Sequence, residues 1–275
     1  MIYTNEELRK VQLVEVEMLK EVIRICEEND IEYFLLGGSV LGAVRHNGFI
    51  PWDDDVDVGM TRDNYNKFIN IAPKKLSPQY CLQTPEAPSP YYYLKVRKLG
   101  TVFIEYCNKN IKMPNGIYLD VFPYDEVPDD EAANIAQHKK IQKLIKIFYF
   151  KRSPGPARKP VGAIKCIKAF IWRSLHYFLR IVPNKVLLNK LEKEFTKYNG
   201  TGQKALAGLN FPTIKTEYIL KEDMFPLVKH KFEDIEAYIP KNYDTYLKTH
   251  YGNYMELPPE EQRCGHKPYK IDLGK

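Results

Sequence analysis

The sequence predicts an α/β fold with a basic, helical insertion, and three observations predict it. Short apolar or alternating runs that stop at glycine or acidic residues read as strands. Longer stretches with apolar residues three and four apart read as helices. Between Glu131 and Glu192 acidic residues are missing altogether, while 14 lysines and arginines remain.

In chain order, Thr4 followed three residues later by Glu7 forms a capping box that opens a first helix. Leu8, Val11, Val14, Met18, Val22 and Ile25 give it an apolar stripe that ends near Glu28 and Asn29. Tyr33-Phe34-Leu35-Leu36 reads as a buried strand stopping at Gly37-Gly38, and Ser39 to His46 as one or two helical turns. Asp55-Val56-Asp57-Val58 alternates like a half-buried strand, and a helix follows from Thr61 to about Ala72. Further strands are predicted at Tyr91–Lys98, Thr101–Tyr106 and Gly116–Phe122. Helical patterns fill Asp130 to Tyr198, broken at Ser153-Pro154-Gly155-Pro156. Strands around Leu227–Phe232 and Ile235–Ile239 and a helix near Tyr243–His250 complete the chain, which holds no internal repeat.

At 275 residues and 44% hydrophobic content, the chain suits one large domain or a domain carrying a substantial insertion. Five scattered cysteines (Cys26, Cys81, Cys107, Cys166 and Cys264), none in a CxxC pair, speak against a disulfide framework or a zinc site. The opening MIYTNEELRK lacks the basic-then-apolar pattern of a signal peptide. No stretch is long and apolar enough to predict a transmembrane helix. The net charge of +6 conceals an acidic remainder beside the basic insertion, so one face is expected to meet something anionic. Nucleic acid, anionic lipid and a phosphate-rich polymer all qualify.

The stretch that carries chemistry is Leu35-Leu36-Gly37-Gly38-Ser39 followed by Asp53-Asp54-Asp55-Val56-Asp57. Carboxylates at i and i+2 of a strand share a face, so Asp55 and Asp57 can hold a hard cation such as Mg²⁺ through oxygen. Asp120, set among the alternating Ile117, Leu119 and Val121, is the candidate third acid. The Gly-Gly-Ser turn leaves room for a phosphate to approach backbone N–H groups and the positive end of a helix. An EF-hand loop fails here, because its glycine position holds Val58 and its twelfth position Asn64.

The block from Leu36 through Arg45, His46 and Trp52 to Asp57 resembles the signature of the LicD family. That family lies in the nucleotidyltransferase superfamily and includes fukutin-related proteins. The resemblance continues at Lys95-Val96-Arg97, at Leu119-Asp120-Val121-Phe122-Pro123, at Tyr251-Gly252-Asn253-Tyr254 and at Arg263 and His266. It implies a nucleotidyltransferase-type mixed sheet flanked by helices. Residues 1–130 are then the catalytic core, 131–205 the basic helical insertion, and 206–275 a segment completing the catalytic domain. It further implies that Gly38 and Ser39 contact donor phosphates and that Asp55, Asp57 and Asp120 bind metal, Mg²⁺ or alternatively Mn²⁺. Which of Asp53 and Asp54 also reaches the metal stays open, as does whether Asp120 is a base or a ligand. Lys95 and Arg97 are expected to face phosphate oxygens. Arg45 and His46 are candidate donor contacts, and Arg263 and His266 candidate residues folding back over the site.

The function implied is transfer of phosphocholine from CDP-choline to a hydroxyl of a cell-surface glycan (teichoic acid, lipopolysaccharide or capsule precursor) with release of CMP. Tyr91-Tyr92-Tyr93 offers material for a quaternary ammonium site. Alternatives are the same fold with another donor (CDP-ribitol, CDP-glycerol or a nucleoside triphosphate) and a non-catalytic glycan- or membrane-binding protein. A nucleic-acid module finds no reader motif, so no nucleic acid partner is expected. Within Val161–Val182 the cations and His176 share one helix face and the apolar residues the other. That pattern predicts an interfacial helix on an anionic membrane, the alternative being a surface helix with its apolar face on the core. The expected location is cytoplasmic, peripheral at the inner face of the membrane that carries a lipid-linked acceptor.

Overall fold

The structure is a computed structural model and describes residues 4–209, 218–263, 265–266 and 268–274. Helix α1 (Asn5–Glu28) opens as its capping box dictates: the Glu7 N–H donates to Thr4 Oγ1 at 3.1 Å, and the Thr4 N–H donates back to Glu7 Oε2 at 2.8 Å. Its stripe of Val11, Met18, Val22 and Ile25 is fully buried. After the two-residue strand β1 (Phe34–Leu35), helix α2 (Gly37–His46) begins at Gly37, two residues earlier than the sequence suggests. Gly37 has φ +44°, which glycine alone adopts freely. Gly42 is required by proximity, since a Cβ there would lie 2.4 Å from the Gly48 carbonyl oxygen.

Strand β2 (Asp57–Thr61) starts later than the alternation predicts, leaving Asp55 in the chain leading into it. Helix α3 (Arg62–Lys75) and strand β3 (Tyr80–Gln83) follow. Strand β4 (Leu94–Lys98) is shorter than expected because Tyr91–Tyr93 stay outside the sheet, and β5 (Val102–Glu105) comes next. Strand β6 (Tyr118–Val127) runs five residues past its predicted end. The central order is β1-β2-β6-β4-β3, with β2 parallel to β6 and the other pairs antiparallel. Every residue from Ile117 to Asp125 is buried, so the expected one-sided alternation gives way to a strand covered on both faces.

The far half of β6 pairs with β7 (Ala205–Ala207), and β7 with β8 (Tyr218–Leu220); Val127 and Ala205 are register partners. Between those two residues the chain forms α4 (Glu131–Arg152), α5 (Ala163–Leu179) and α6 (Asn184–Phe195). Ile141, Phe148, Leu187, Leu191 and Phe195 build a second apolar cluster around Val127. A buried Arg62 guanidinium binds both oxygens of Asp125 on β6 and also reaches Glu192 on α6, tying α3, the sheet and the insertion together.

Helix α7 (Lys221–Met224), the hairpin of β9 (Val228–Phe232) and β10 (Ile235–Ile239), and helix α8 (Tyr243–Tyr251) follow. The last strand, β11 (Pro268–Asp272), pairs antiparallel with β5. Among the described residues no helix is long and apolar enough to cross a membrane. Cys26, Cys81, Cys107 and Cys166 are free thiols; Cys264 lies outside the described residues.

Candidate active site

Three adjacent strands place Asp57, Asp120 and Lys95 abreast. Asp57 on β2 is the register partner of Asp120 on β6, which in turn partners Lys95 on β4. Lys95 Nζ donates to Asp120 Oδ1 at 2.6 Å and Oδ2 at 2.8 Å, and its side chain is 1% exposed. A buried ammonium needs compensation beyond one carboxylate. The faces of Tyr118 and Tyr91 supply it, with ring centroids 3.6 and 4.1 Å from Nζ. Lys95 thus serves Asp120, where the sequence expectation had it facing phosphate.

The acidic run alternates in burial. Asp53, Asp55 and Asp57 are half-buried, while Asp54 and Val56 are turned fully inside. Ser39 does not stand free at the glycine turn: its Oγ accepts the Asp57 N–H at 3.0 Å and so fixes the start of β2. Gly38 gives the acids room, since a Cβ there would come within 2.7 Å of Asp53 Oδ2. The N–H of Gly37 at the start of α2 is taken by the Tyr246 hydroxyl. Burial, then the charges of Asp55, Asp120 and Asp53, push the Asp57 carboxyl well above the usual carboxylate range. Asp53, Asp55 and Asp120 are also raised, each chiefly by burial; for Asp120 the adjacent Lys95 pulls against that.

One further acid escaped the sequence reading. Glu15 on α1 is 1% exposed, leaves Oε2 without a partner, and is pushed well up by burial and by Asp55, Asp54 and Asp53. The signal was present, because Glu15 interrupts the buried stripe between Val11 and Met18. Its neighbour Gln12 donates to the Asp53 carbonyl at 2.8 Å.

The C-terminal segment does return over this site. The His266 N–H donates to Asp54 Oδ1 at 2.8 Å, its Nδ1 lies 3.1 Å from the same oxygen, and Asp55 Oδ2 is 3.7 Å away. The Asp54 bond, against the cost of burial and helped by Asp55, raises the imidazole to about 10. Arg263 donates to the Pro258 carbonyl and stacks over Trp52. Arg45 donates to the Tyr254 and Glu256 carbonyls and so clamps the C-terminal segment, while its Nε donates to His46 Nε2. Arg97, expected to face phosphate oxygens, is instead 1% exposed and bonds Gln83 Oε1 and the Gly116 carbonyl.

Beside Lys95 lies a second carboxylate that the sequence reading did not single out. Glu105 accepts the hydroxyls of Tyr91 at 2.6 Å and Tyr118 at 2.7 Å. Burial works against its charge, but Lys95 and these hydroxyls outweigh it and hold the carboxyl down at about 2. It borders a cavity of about 650 Å³ lined by Tyr91, Tyr92, Tyr93, Asn108 and, on α4, Lys146 and Tyr149. The tyrosine cluster therefore converges on one space.

Carboxyls raised by burial and by one another's charge mark a site short of positive charge, which a hard divalent cation relieves. The ligand atoms of Asp54, Asp55 and His266 lie within 4.8 Å of one another. Oxygen ligands suit Mg²⁺; of the sequence-predicted set, Asp55 belongs to that group, while Asp57 and Asp120 stand side by side on β2 and β6.

Residues 30–157 match the family model for the LicD/FKTN/FKRP nucleotidyltransferase domain. The chain carries a LicD-family domain. Outside that domain, similarity extends to the whole length of a relative: the chain is 29% identical over 265 residues, 96% of each chain, to the lipopolysaccharide cholinephosphotransferase LicD of Haemophilus influenzae. It is 48% identical over 44 residues, 16% of this chain and 9% of the relative, to the ribitol 5-phosphate transferase FKRP of Homo sapiens. The LicD-family domain contains the glycine turn, the acidic run, Lys95, Glu105 and Asp120.

Proposed function

We propose that this chain is a metal-dependent phosphotransferase on a nucleotidyltransferase-type fold, moving phosphocholine from CDP-choline to a glycan hydroxyl. The observation that carries the reading is the row of Asp57, Asp120 and Lys95 standing next to a tyrosine-lined cavity with an ionised Glu105. Asp55, Asp57 and Asp120 would hold the cation, whose chemistry is to neutralise the diphosphate and the departing charge. Asp120 has both oxygens on Lys95, the posture of a ligand held in place rather than of a base free to meet an incoming hydroxyl.

In the transfer, the acceptor oxygen bonds to the choline-bearing phosphorus and the bond from that phosphorus to the CMP oxygen breaks. The acceptor proton leaves to solvent or to a neighbouring carboxylate, and CMP departs. Tyrosine faces and a carboxylate are what a quaternary ammonium needs; Lys95, seated on Tyr91 and Tyr118, already uses the same chemistry within the fold. The full-length similarity to a lipopolysaccharide cholinephosphotransferase supports phosphocholine as the group carried. The acceptor is then a lipopolysaccharide or related surface glycan.

The test is CMP release from a panel of CDP-linked donors with Mg²⁺ and a glycan acceptor. CDP-choline should be preferred over CDP-ribitol, CDP-glycerol and CTP. Preference for a polyol donor would transfer the reading to the chemistry named for FKRP.

A further inference from the structure

The helix α5 is amphipathic with its faces reversed. Its apolar face does not pack on the core, as a surface helix would have it: among its residues only Ala169 is buried. Towards the protein it turns Ala169, the Trp172 ring and His176, with Leu175 and Leu179 half-buried, and hydrogen bonds fix it there. Trp172 Nε1 donates to the Ser153 carbonyl at 3.0 Å, His176 Nδ1 lies 3.1 Å from the Phe150 carbonyl, and Lys151 Nζ on α4 donates to the Leu179 carbonyl at 3.1 Å. Outward stand Ile164, Ile167, Phe170, Ile171, Tyr177 and Phe178, each between 57% and 71% exposed. At about 100° per residue they fall within an arc of roughly 140°. Val161 and Ile181, 77% and 79% exposed, extend the patch at both ends. A stripe of this size left in water is not ordinary surface.

We infer that this face seats on an anionic lipid bilayer. The flanks supply the charge: at about 100° per residue Lys168 stands just beyond one edge of the stripe and Arg173 and Arg180 just beyond the other, all three are exposed, and no acidic residue occurs between Glu131 and Glu192. The stripe sits on a convex helix surface, which suits a planar interface, with cations placed to reach headgroup phosphates while the aromatics enter the acyl boundary. A second copy of the chain is the wrong occupant, because pairing α5 with itself brings two cationic flanks together without a counter-charge. The arrangement also has a direction. Helix α4, on which α5 rests through Tyr149, Phe150 and Trp172, lines the tyrosine cavity with Lys146 and Tyr149. Seating α5 therefore holds the cavity near the lipid surface, where a lipid-linked acceptor would be met. The docking itself stands on the surface of α5 and does not depend on the donor.

Co-sedimentation of the full chain with vesicles tests it. Binding should occur with equimolar phosphatidylcholine and phosphatidylglycerol, fail with phosphatidylcholine alone, and weaken as salt screens the flanks. Each basic residue near such a surface contributes about fivefold, so Lys168→Glu, Arg173→Glu and Arg180→Glu together should lose at least about a hundredfold. Phe170→Ser with Phe178→Ser should lose binding by at least about tenfold at constant charge. Both side chains point to solvent, so these variants should keep the wild-type circular dichroism and melting temperature. Absence of binding to anionic vesicles at low salt overturns the inference. So does binding indifferent to the two phenylalanines, or concentration-dependent self-association that the Phe→Ser pair abolishes in a chain that ignores vesicles.

Discussion

Replacing Lys95 with methionine removes the only positive charge that the structure places directly on Asp120 among the described residues, and it does so at nearly constant volume. At 2.6 Å and an effective dielectric near 20, the Coulomb attraction is about 6 kcal/mol. Returning Lys95 to water in the unfolded chain offsets part of that. Breaking a buried pair from one side costs about 3–5 kcal/mol, so the metal-free variant should lose about 4 kcal/mol, roughly a thousandfold in the folding equilibrium. The sign with pH is fixed by Asp120. Its folded carboxyl lies above the ordinary aspartate value of 3.8 through burial, and without Lys95 it lies higher still. A carboxyl raised on folding binds more protons in the native state, so stability falls as pH rises from the unfolded value to the folded one. The deficit of Lys95→Met should therefore be smaller at about pH 5 than at about pH 8. The double variant Lys95→Met/Asp120→Asn leaves no buried charge at that position and should recover about 2 kcal/mol relative to the sum of the single changes. Urea denaturation in EDTA, followed by tryptophan fluorescence, measures all three. A loss below about 1 kcal/mol at pH 8, or strict additivity in the double variant, would refute the assignment of Lys95 as counter-ion to the acidic row.

Asp55→Asn or Asp57→Asn should cut CMP release by several orders of magnitude with the fold intact; near-normal turnover of either with Mg²⁺ removes it from the metal set. Mg²⁺ at a hundredfold above its dissociation constant should stabilise the wild-type chain by about 2.7 kcal/mol in urea and do so far less in Asp57→Asn. His266, raised from 6.5 to about 10, contributes stability that is fully present below the unfolded value and is lost as pH rises through about 10. The melting-temperature gap between wild type and His266→Ala should accordingly be wider at neutral pH than above pH 10, and an equal gap would show no charged bond to Asp54. Gly42→Ala forces a Cβ onto the Gly48 carbonyl and should destabilise the fold by about 1–3 kcal/mol or more, read by thermal denaturation.

The parts of this molecule that the sequence made legible are those set by near neighbours. The Thr4–Glu7 box, the β9–β10 hairpin and the break in the helical segment near Ser153 all depend on residues a few positions apart. Asp120 was legible because alternating Ile117, Leu119 and Val121 bracket it, although the structure buries both faces of that strand. The end of β6 was missed because Pro123, Asp125 and Glu126 weaken any strand pattern, and Arg62 on α3 with Asn199 beyond α6 makes a buried Asp125 tolerable. The pairing of β11 with β5 spans most of the chain and has no local signature. Lys95 and Arg97 were assigned by residue type to phosphate contacts, yet Asp120 claims one and Gln83 with Gly116 the other. Type and spacing picked out the acids that the sheet sets side by side, and partners across the sheet decided which groups each side chain meets.

The register of Val127 with Ala205 has a consequence for how this protein changes over generations. Paired residues of antiparallel strands stand about 5 Å apart, so the chain leaves the sheet and re-enters it at nearly the same point. Everything between is, topologically, an enlarged hairpin loop. Lengthening, trimming or exchanging it need not shift the strand alignment that sets Asp57, Asp120 and Lys95 side by side, provided that Arg62 and Asp125 keep a cover. The helical stretch is in that sense a cassette: descendants of one ancestor can splice in a different version, carry the same acidic row to a different surface, and re-line the tyrosine cavity from α4 while the strand alignment stays.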